Sequence, residues 1–441
     1  PPAQTGWPRP AEGERVSPRG LSPTLTLPPP VGSTMRLPLR TVVFWAHLDC
    51  GVPVAGVVLM MSATGVVLTY EKQMARWADR EYWTAAEEAV PADPATVLRA
   101  ARNLRPETPV TSLQLFPEPG APAIASYSRS GRLYLDPASG ELRGEPNPGM
   151  AGFLSAVRGW HRWFNVSGDG RSTARAITGW SNFGFLLLVF SGLYLWFPRR
   201  WSWQHFKAVL FVKRGTRGKA RDFNWHHVVG FWTAVPLAIV VFTGAMISFP
   251  KARTAILDVV VREEAGAQVA ARNATGSEAE AADPPSLGPV DPSVVRGVVA
   301  RASERVEDWR RISVVIPEDA NAPVEARIEQ GLPGQPQKRF VARYDAVSGS
   351  EVAFVRPEDQ PATSRIRGFF RFAHTGEYFG LLGQTVAGIV TLLTVILVWT
   401  GLALSWRRML RAVRRRWAED EATEVAEAER PEERKGKAVA A

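Results

Sequence analysis

The sequence predicts an α-helical membrane protein: four transmembrane helices arranged as two parallel repeats, each repeat carrying an α+β module outside the membrane. Three observations carry this. Four segments, 42–69, 176–197, 228–249 and 384–405, are apolar and long enough to span a bilayer. The layout of the first recurs in the third: His47, Gly51 and Thr64-Gly65 match His226, Gly230 and Thr243-Gly244, with 18 residues from histidine to closing glycine in both copies. The connectors after the first and third spans also share a pattern, an Asp-Pro helix start followed by short strands and an Asp-x-x-Ser-Gly turn.

Residues 1–34 are rich in Pro and Gly and contain no Met, whereas Met35 follows at once. They are expected to be disordered or to precede a later true start. Span one (42–69) is too long for a cleaved signal and is expected to stay as an anchor. In the first connector (module 71–150), Asp93-Pro94 opens a helix over about 94–104, because Asp caps and Pro suits the first helical position. Strands follow at 109–116, 122–128 and 131–136, and Asp136 to Gly140 closes the module with a turn. Span two covers 176–197, and a basic loop covers 198–225.

Span three, 226–249 with its leading histidines, carries no charge for 22 positions after His227, roughly 33 Å of helix. The second connector (module 250–372) repeats the first. Asp291-Pro292 opens a helix to about 304, and strands follow near 311–316, 323–329 and 339–345. Asp345 to Gly349 forms the turn, and 263–290 reads as a flexible insert. Span four covers 384–405. The tail, 406–441, shows no fold signal over its charged, Ala-rich part, 417–441. Spans two and four correspond through Gly179/Gly192 and Gly388/Gly401, each pair 13 apart, at Ser191-Gly192 and Thr400-Gly401.

The chain has 441 residues and a formal charge of +10. The excess sits at three places: Arg36 and Arg40, the loop from Arg199 to Arg221 with Asp222 as its one acid, and Arg407 to Arg416. The positive-inside rule puts all three in the cytoplasm and both modules on the other side. Both repeats then begin in the cytoplasm, which makes them parallel about an axis along the membrane normal. The basic balance reports topology and requires no nucleic acid. One cysteine, Cys50, excludes an intrachain disulfide or a Cys-only metal cage.

Six histidines remain: His47, His161, His205, His226, His227 and His374. Ionisable groups at membrane helices are functional candidates. The repeat relates His47 to His226 at the inner end and His161 to His374 at the outer end. Two imidazoles facing across a bundle suit a six-coordinate haem iron, and Gly51 and Gly230, one turn from a histidine, let a flat ring approach the helix. A plain polar anchor at the interface is the competing reading of each histidine. It is the better one for His205, and His227 points about 100° from His226. Asp49 and Glu377 stand near His47 and His374 as possible orienting carboxylates. No zinc-protease, phosphate-loop, nucleophile-elbow, flavin or nicotinamide motif occurs.

FWAHLDCGVPVAG and SATGVVLTYEKQ in span one, SGLYLWFPRR ending span two, NWHHVVGFW and FTGAMISF in span three, and HTGEYFGLLGQ with WTGLALSWRR at span four resemble the PepSY-associated transmembrane proteins. This iron-regulated inner-membrane group includes ferric-siderophore reductases. YLDPASGEL and RYDAVSGSEV resemble PepSY modules. The resemblance covers about 35–410. It implies two periplasmic PepSY-type domains, haem b (one or two) on His47, His161, His226 and His374, and reduction of periplasmic ferric siderophore to Fe(II). Some relatives carry a fused flavin reductase domain and the present sequence does not, so the implied donor is quinol or a separate cytoplasmic reductase. His161, 31 residues before Gly192, is the least regular of the four. The competing function is a haem-free membrane anchor whose modules bind or regulate a periplasmic peptidase or another protein.

Overall fold

The computed structural model describes residues 38–83, 92–128, 131–197, 202–258 and 288–439. The readings made for residues 1–34 and for most of the 263–290 insert lie outside them. Four helices are long and apolar enough to cross a membrane. These are α1 (Leu39–Thr69), α5 (Gly170–Trp196), α7 (Gly218–Ser248) and the apolar part of α11 (Gly380–Val439). They pack as a ring in which α1 touches α5 and α11, and α7 touches the same two. Ala55, Val58, Phe185, Val189, Leu237, Val241, Val390 and Val398 fill its centre. Outward faces stay apolar, as lipid contact requires.

Polar ties hold the bundle at both ends. At the end away from the sheet, Arg40 donates to the carbonyls of Phe197 (3.0 Å) and Leu195 at the C-terminus of α5. A cation there satisfies orphan carbonyls. Buried Asp222 accepts from Arg221 and from Arg407 of α11. At the other end Gln384 of α11 bonds to Gln73 and to the carbonyl of Thr69.

The outer elements form one body. α2 (Glu71–Ala78) and α3 (Pro94–Leu104) precede β1 (Val110–Leu115), β2 (Ala123–Tyr127), β3 (Arg132–Leu135) and β4 (Leu142–Gly144). After α4 (Pro148–Trp163), α6 (Trp203–Leu210) and the helical residues 250–258 (α8) come α9 (Pro292–Arg305), β5 (Arg311–Val315), β6 (Val324–Glu329), β7 (Arg339–Tyr344) and β8 (Glu351–Val355). α10 (Ala362–His374) then leads to α11. The eight strands make one antiparallel sheet in the order β4-β3-β2-β1-β5-β6-β7-β8. The two modules join where β1 pairs with β5, Leu113 opposite Val314. α3 and α9 pack side by side on one face, and Val97, Leu98, Val295 and Val298 share a single core with Leu113, Leu133, Ile312 and Ile328. Asp93, capping α3, also takes both arms of Arg296 from α9 at 2.9 and 2.8 Å.

Two expectations need correction. Each module has four strands instead of three. The Asp-x-x-Ser-Gly turns do not end the modules: Asp136 and Asp345 accept from the backbone of residues two and three positions on and turn the chain into β4 and β8. The tail also has a fold signal, because α11 continues through 417–439. Its Ala, Glu and Arg are strong helix formers with opposite charges at helical spacing.

Candidate functional site

The site is built from four histidines and four Ser/Thr-Gly dipeptides, each histidine resting against a dipeptide on a neighbouring helix. His47 of α1 lies against Ser191-Gly192 of α5, with Nδ1 2.8 Å from Ser191 Oγ. His226 of α7 lies against Thr400-Gly401 of α11, with Nδ1 3.1 Å from the Leu397 carbonyl and 3.2 Å from Thr400 Oγ1. His161 of α4 lies against Thr64-Gly65 of α1, with Nδ1 3.0 Å from both Thr64 Oγ1 and the Met61 carbonyl. His374 of α10 lies against Thr243-Gly244 of α7, with Nδ1 2.8 Å from the Val240 carbonyl.

The glycines make this approach possible. A methyl added at 65, 192, 401 or 244 would stand 3.4, 3.3, 3.1 or 2.9 Å from Cε1 of the facing histidine, inside ordinary carbon contact.

The acceptors fix the tautomer. A carbonyl only accepts, so Nδ1 of His161, His226 and His374 must carry a proton. Ser191 already donates its hydroxyl proton to the Leu187 carbonyl at 2.7 Å, so it accepts from His47. All four rings therefore present a bare Nε2, the form that binds a metal, with its orientation set by the bond at the other nitrogen. Each ring lies among the helices and is half-buried.

The rings fall at two levels. His161 and His374 have ring centroids 6.3 Å apart, with their planes tilted by 55°. Two imidazoles holding one metal from opposite sides, with bonds of about 2.0–2.1 Å, place their centroids roughly 6–6.5 Å apart. Along α1, His47 is 17 residues from the Thr64 that holds His161, about 25 Å of helix. Along α7, the step from His226 to Thr243 is the same. No group of three or more His, Cys, Asp or Glu able to hold a metal occurs among the described residues. His161 and His374 could supply two imidazole nitrogens to a metal, whose remaining ligands would not come from a His, Cys, Asp or Glu group among the described residues.

The irregular spacing of His161 has a local cause. α4 ends in left-handed residues Phe164 and Asn165 and needs residues 164–169 to reach α5, whereas α10 passes to α11 through Gly376 and a single 3₁₀ turn. Both helices still bring their histidine to the same level. Around this outer pair, Arg162 is held below its ordinary range by burial and then by the guanidiniums of Arg175, Arg158, Arg371 and Arg171.

The remaining candidates sit elsewhere. His227 donates from Nδ1 to the Phe223 carbonyl of its own helix, 2.8 Å away, and stacks on Phe223. His205 lies in α6, its side chain outside the described residues. Glu377 pairs with Lys72 at 2.7 Å and accepts from Thr375, and Asp49 faces the outer surface. Neither carboxylate orients a histidine, because hydroxyls and carbonyls already occupy every Nδ1. Gly51 and Gly230 abut Leu188 and Leu397 and touch no histidine.

Among curated proteins none matches the chain. The PepSY-associated TM region matches residues 44–408, which takes in all four histidines, all four dipeptides and the whole sheet. By that match the chain belongs to the PepSY-associated transmembrane family.

Proposed function

We propose that the chain is a di-haem electron carrier of the bacterial inner membrane that reduces a ferric siderophore on the periplasmic side. The observation that carries this is the His161–His374 pair, 6.3 Å between ring centroids with both Nδ1 atoms anchored. Two paired imidazoles without a third protein donor would suit a haem iron, and the repeat would give His47 and His226 the same role one level inward. Haem b bound at both levels supplies one-electron redox chemistry. The chain's own residues hold the imidazoles in the ligating tautomer, and Val58, Leu237, Val241 and Val390 keep water out between the levels.

The basic residues of the inner loop, the N-terminal segment and α11 favour the orientation with the sheet in the periplasm. In that orientation the arginines around His161 run against the usual charge bias and call for anionic partners. Haem propionates and an anionic iron chelate both fit that charge. One electron reaching the chelate converts Fe(III) to the more weakly held Fe(II).

The test is the visible spectrum of the purified protein, oxidised and dithionite-reduced, with haem quantified per chain. Two haems per chain are expected, falling to one in His226→Ala, and ferric hydroxamate or catecholate added without oxygen should reoxidise the reduced protein. A His226→Ala protein that keeps full haem would overturn the reading. No haem from iron- and precursor-replete cells would leave the haem-free anchoring function.

A further inference from the structure

We infer that the groove between α1 and α11 at the inner end is a binding site for a membrane hydroquinone, the electron donor. The inference rests on the di-haem reading and adds its donor and entry point. The groove measures about 790 Å³, the size of a small-molecule site. Its walls include Trp45 and Asp49 of α1 and Trp399, Ser405, Trp406 and Arg408 of α11.

Asp49 is the informative member. It lies nine residues from Arg40, about 13 Å along the helix towards the membrane interior. Its side chain is exposed and makes no hydrogen bond or ion pair among the described residues. A carboxylate facing acyl chains is costly and marks a site. Tryptophans alone are ordinary at an interface, but three indoles around an unpaired carboxylate form a slot for a flat ring with a proton to give. Arg408 stacks over Trp45 at 4.6 Å and Phe44 at 4.9 Å, which sets a guanidinium at the same groove as Asp49. A 1,4-dihydroxy ring has one oxygen for each. A phospholipid phosphate would instead meet the Asp49 carboxylate as a like charge.

The groove is level with the inner histidine pair. Asp49 is two residues from His47, and Trp399 precedes the Thr400-Gly401 cradle of His226. One helix diameter, about 10 Å, separates the outer face of α1 from its histidine face. Oxidation of one hydroquinone breaks both O–H bonds and leaves the quinone. Its two electrons would leave singly, with the haem that His47 and His226 would hold as the one-electron acceptor. Asp49 accepts a hydrogen bond from one ring hydroxyl, and both protons leave to cytoplasmic water.

The test uses the full chain in nanodiscs under anaerobic conditions, with decylubiquinol as probe. Binding is read from quenching of tryptophan fluorescence, and electron entry from the growth of the reduced haem band. Saturable quenching is expected, weakened about tenfold in Asp49→Asn and lost in Trp399→Leu/Trp406→Leu, with haem content unchanged in both. Haem reduction by quinol should slow at least tenfold in Asp49→Asn while dithionite still reduces all of it. Quenching that never saturates, or that is equal in Asp49→Asn, overturns the inference even if haem is present. A protein without haem overturns the parent reading instead, and the quenching titration still decides the groove.

Discussion

Gly244→Ala is the sharpest perturbation of the histidine cradles. The added methyl would lie 2.9 Å from Cε1 of His374 and 3.2 Å from Nδ2 of Asn182. Carbon contacts are comfortable at about 3.5–4.0 Å, so the imidazole must retreat by roughly 0.6–1 Å. Its bond to the Val240 carbonyl, now 2.8 Å, then stretches out of hydrogen-bonding range. Losing that bond costs about 1 kcal/mol, and residual crowding adds about 1 kcal/mol or more. On the di-haem reading, together they would weaken metal binding by His374 about thirtyfold, at about 1.4 kcal/mol per decade.

Gly65→Ala is the matched control on the other side of the same pair. Its methyl would sit 3.4 Å from His161 Cε1 and 3.2 Å from Thr391 Cγ2, which a shift of a few tenths of an ångström relieves. His161 also has two acceptors for its Nδ1 proton. The assay is haem per chain after size exclusion, with transfer to an excess of haem scavenger timed by absorbance. Gly244→Ala should keep close to one haem and lose the second quickly, whereas Gly65→Ala should stay near two. Equal retention in the two variants, or greater loss in Gly65→Ala, would refute the cradle argument.

Two further outcomes follow from named bonds. Ser191→Ala removes the one acceptor of His47 Nδ1, whereas Thr64→Val leaves His161 the Met61 carbonyl; losing an orienting partner costs about 10–100-fold in metal affinity, so redox titration and haem retention should show the larger effect in Ser191→Ala. The outer sheet should be acid-labile: burial raises the Asp93 and Asp136 carboxyls, but Thr96 and Arg296 for the first, and the Ser139 backbone and Arg143 for the second, outweigh it and bring each to about 2. Both groups stabilise the fold above the unfolded value of about 3.9. That contribution, roughly 1 kcal/mol each after solvent screening, is lost as pH falls from about 4 to 2, so Tm should drop in that window, and Arg296→Ala should flatten the part due to Asp93.

The sequence carried the spans and most strands because both have local signals. The Asp-Pro starts gave α3 and α9 their first residues, and alternation gave six of the strands to within a residue or two. The β1–β5 pairing had no such signal, because the same alternation suits any half-buried neighbour, and a partner some 200 residues away leaves no local mark. β4 and β8 were missed because a turn that returns the chain looks the same as a turn that ends a module. The four histidines were visible as chemistry, whereas the Ser/Thr-Gly dipeptides served only as markers of the repeat. Their number was no clue, because α5 carries a fifth such dipeptide, Thr178-Gly179, whose glycine rests against Phe249 and Ser248. What hid the correspondence is that each dipeptide lies on a different helix from its histidine.

That separation explains how two levels of oriented histidines are built without a dedicated binding domain. His47 is held by α5 and His161 by α1, all within the first half of the chain. His226 is held by α11 and His374 by α7, all within the second. Each half therefore orients its own two imidazoles, and the two halves meet where His161 lies beside His374. A cofactor bound between paired imidazoles contributes to the association of the halves and need not organise either one. The entropy of aligning each ring is already spent in folding, which lowers what binding must supply. The same arrangement confines damage. A cradle substitution should loosen one imidazole at one level and leave the other level intact, because the two levels share helices α1 and α7 but no histidine, acceptor or glycine.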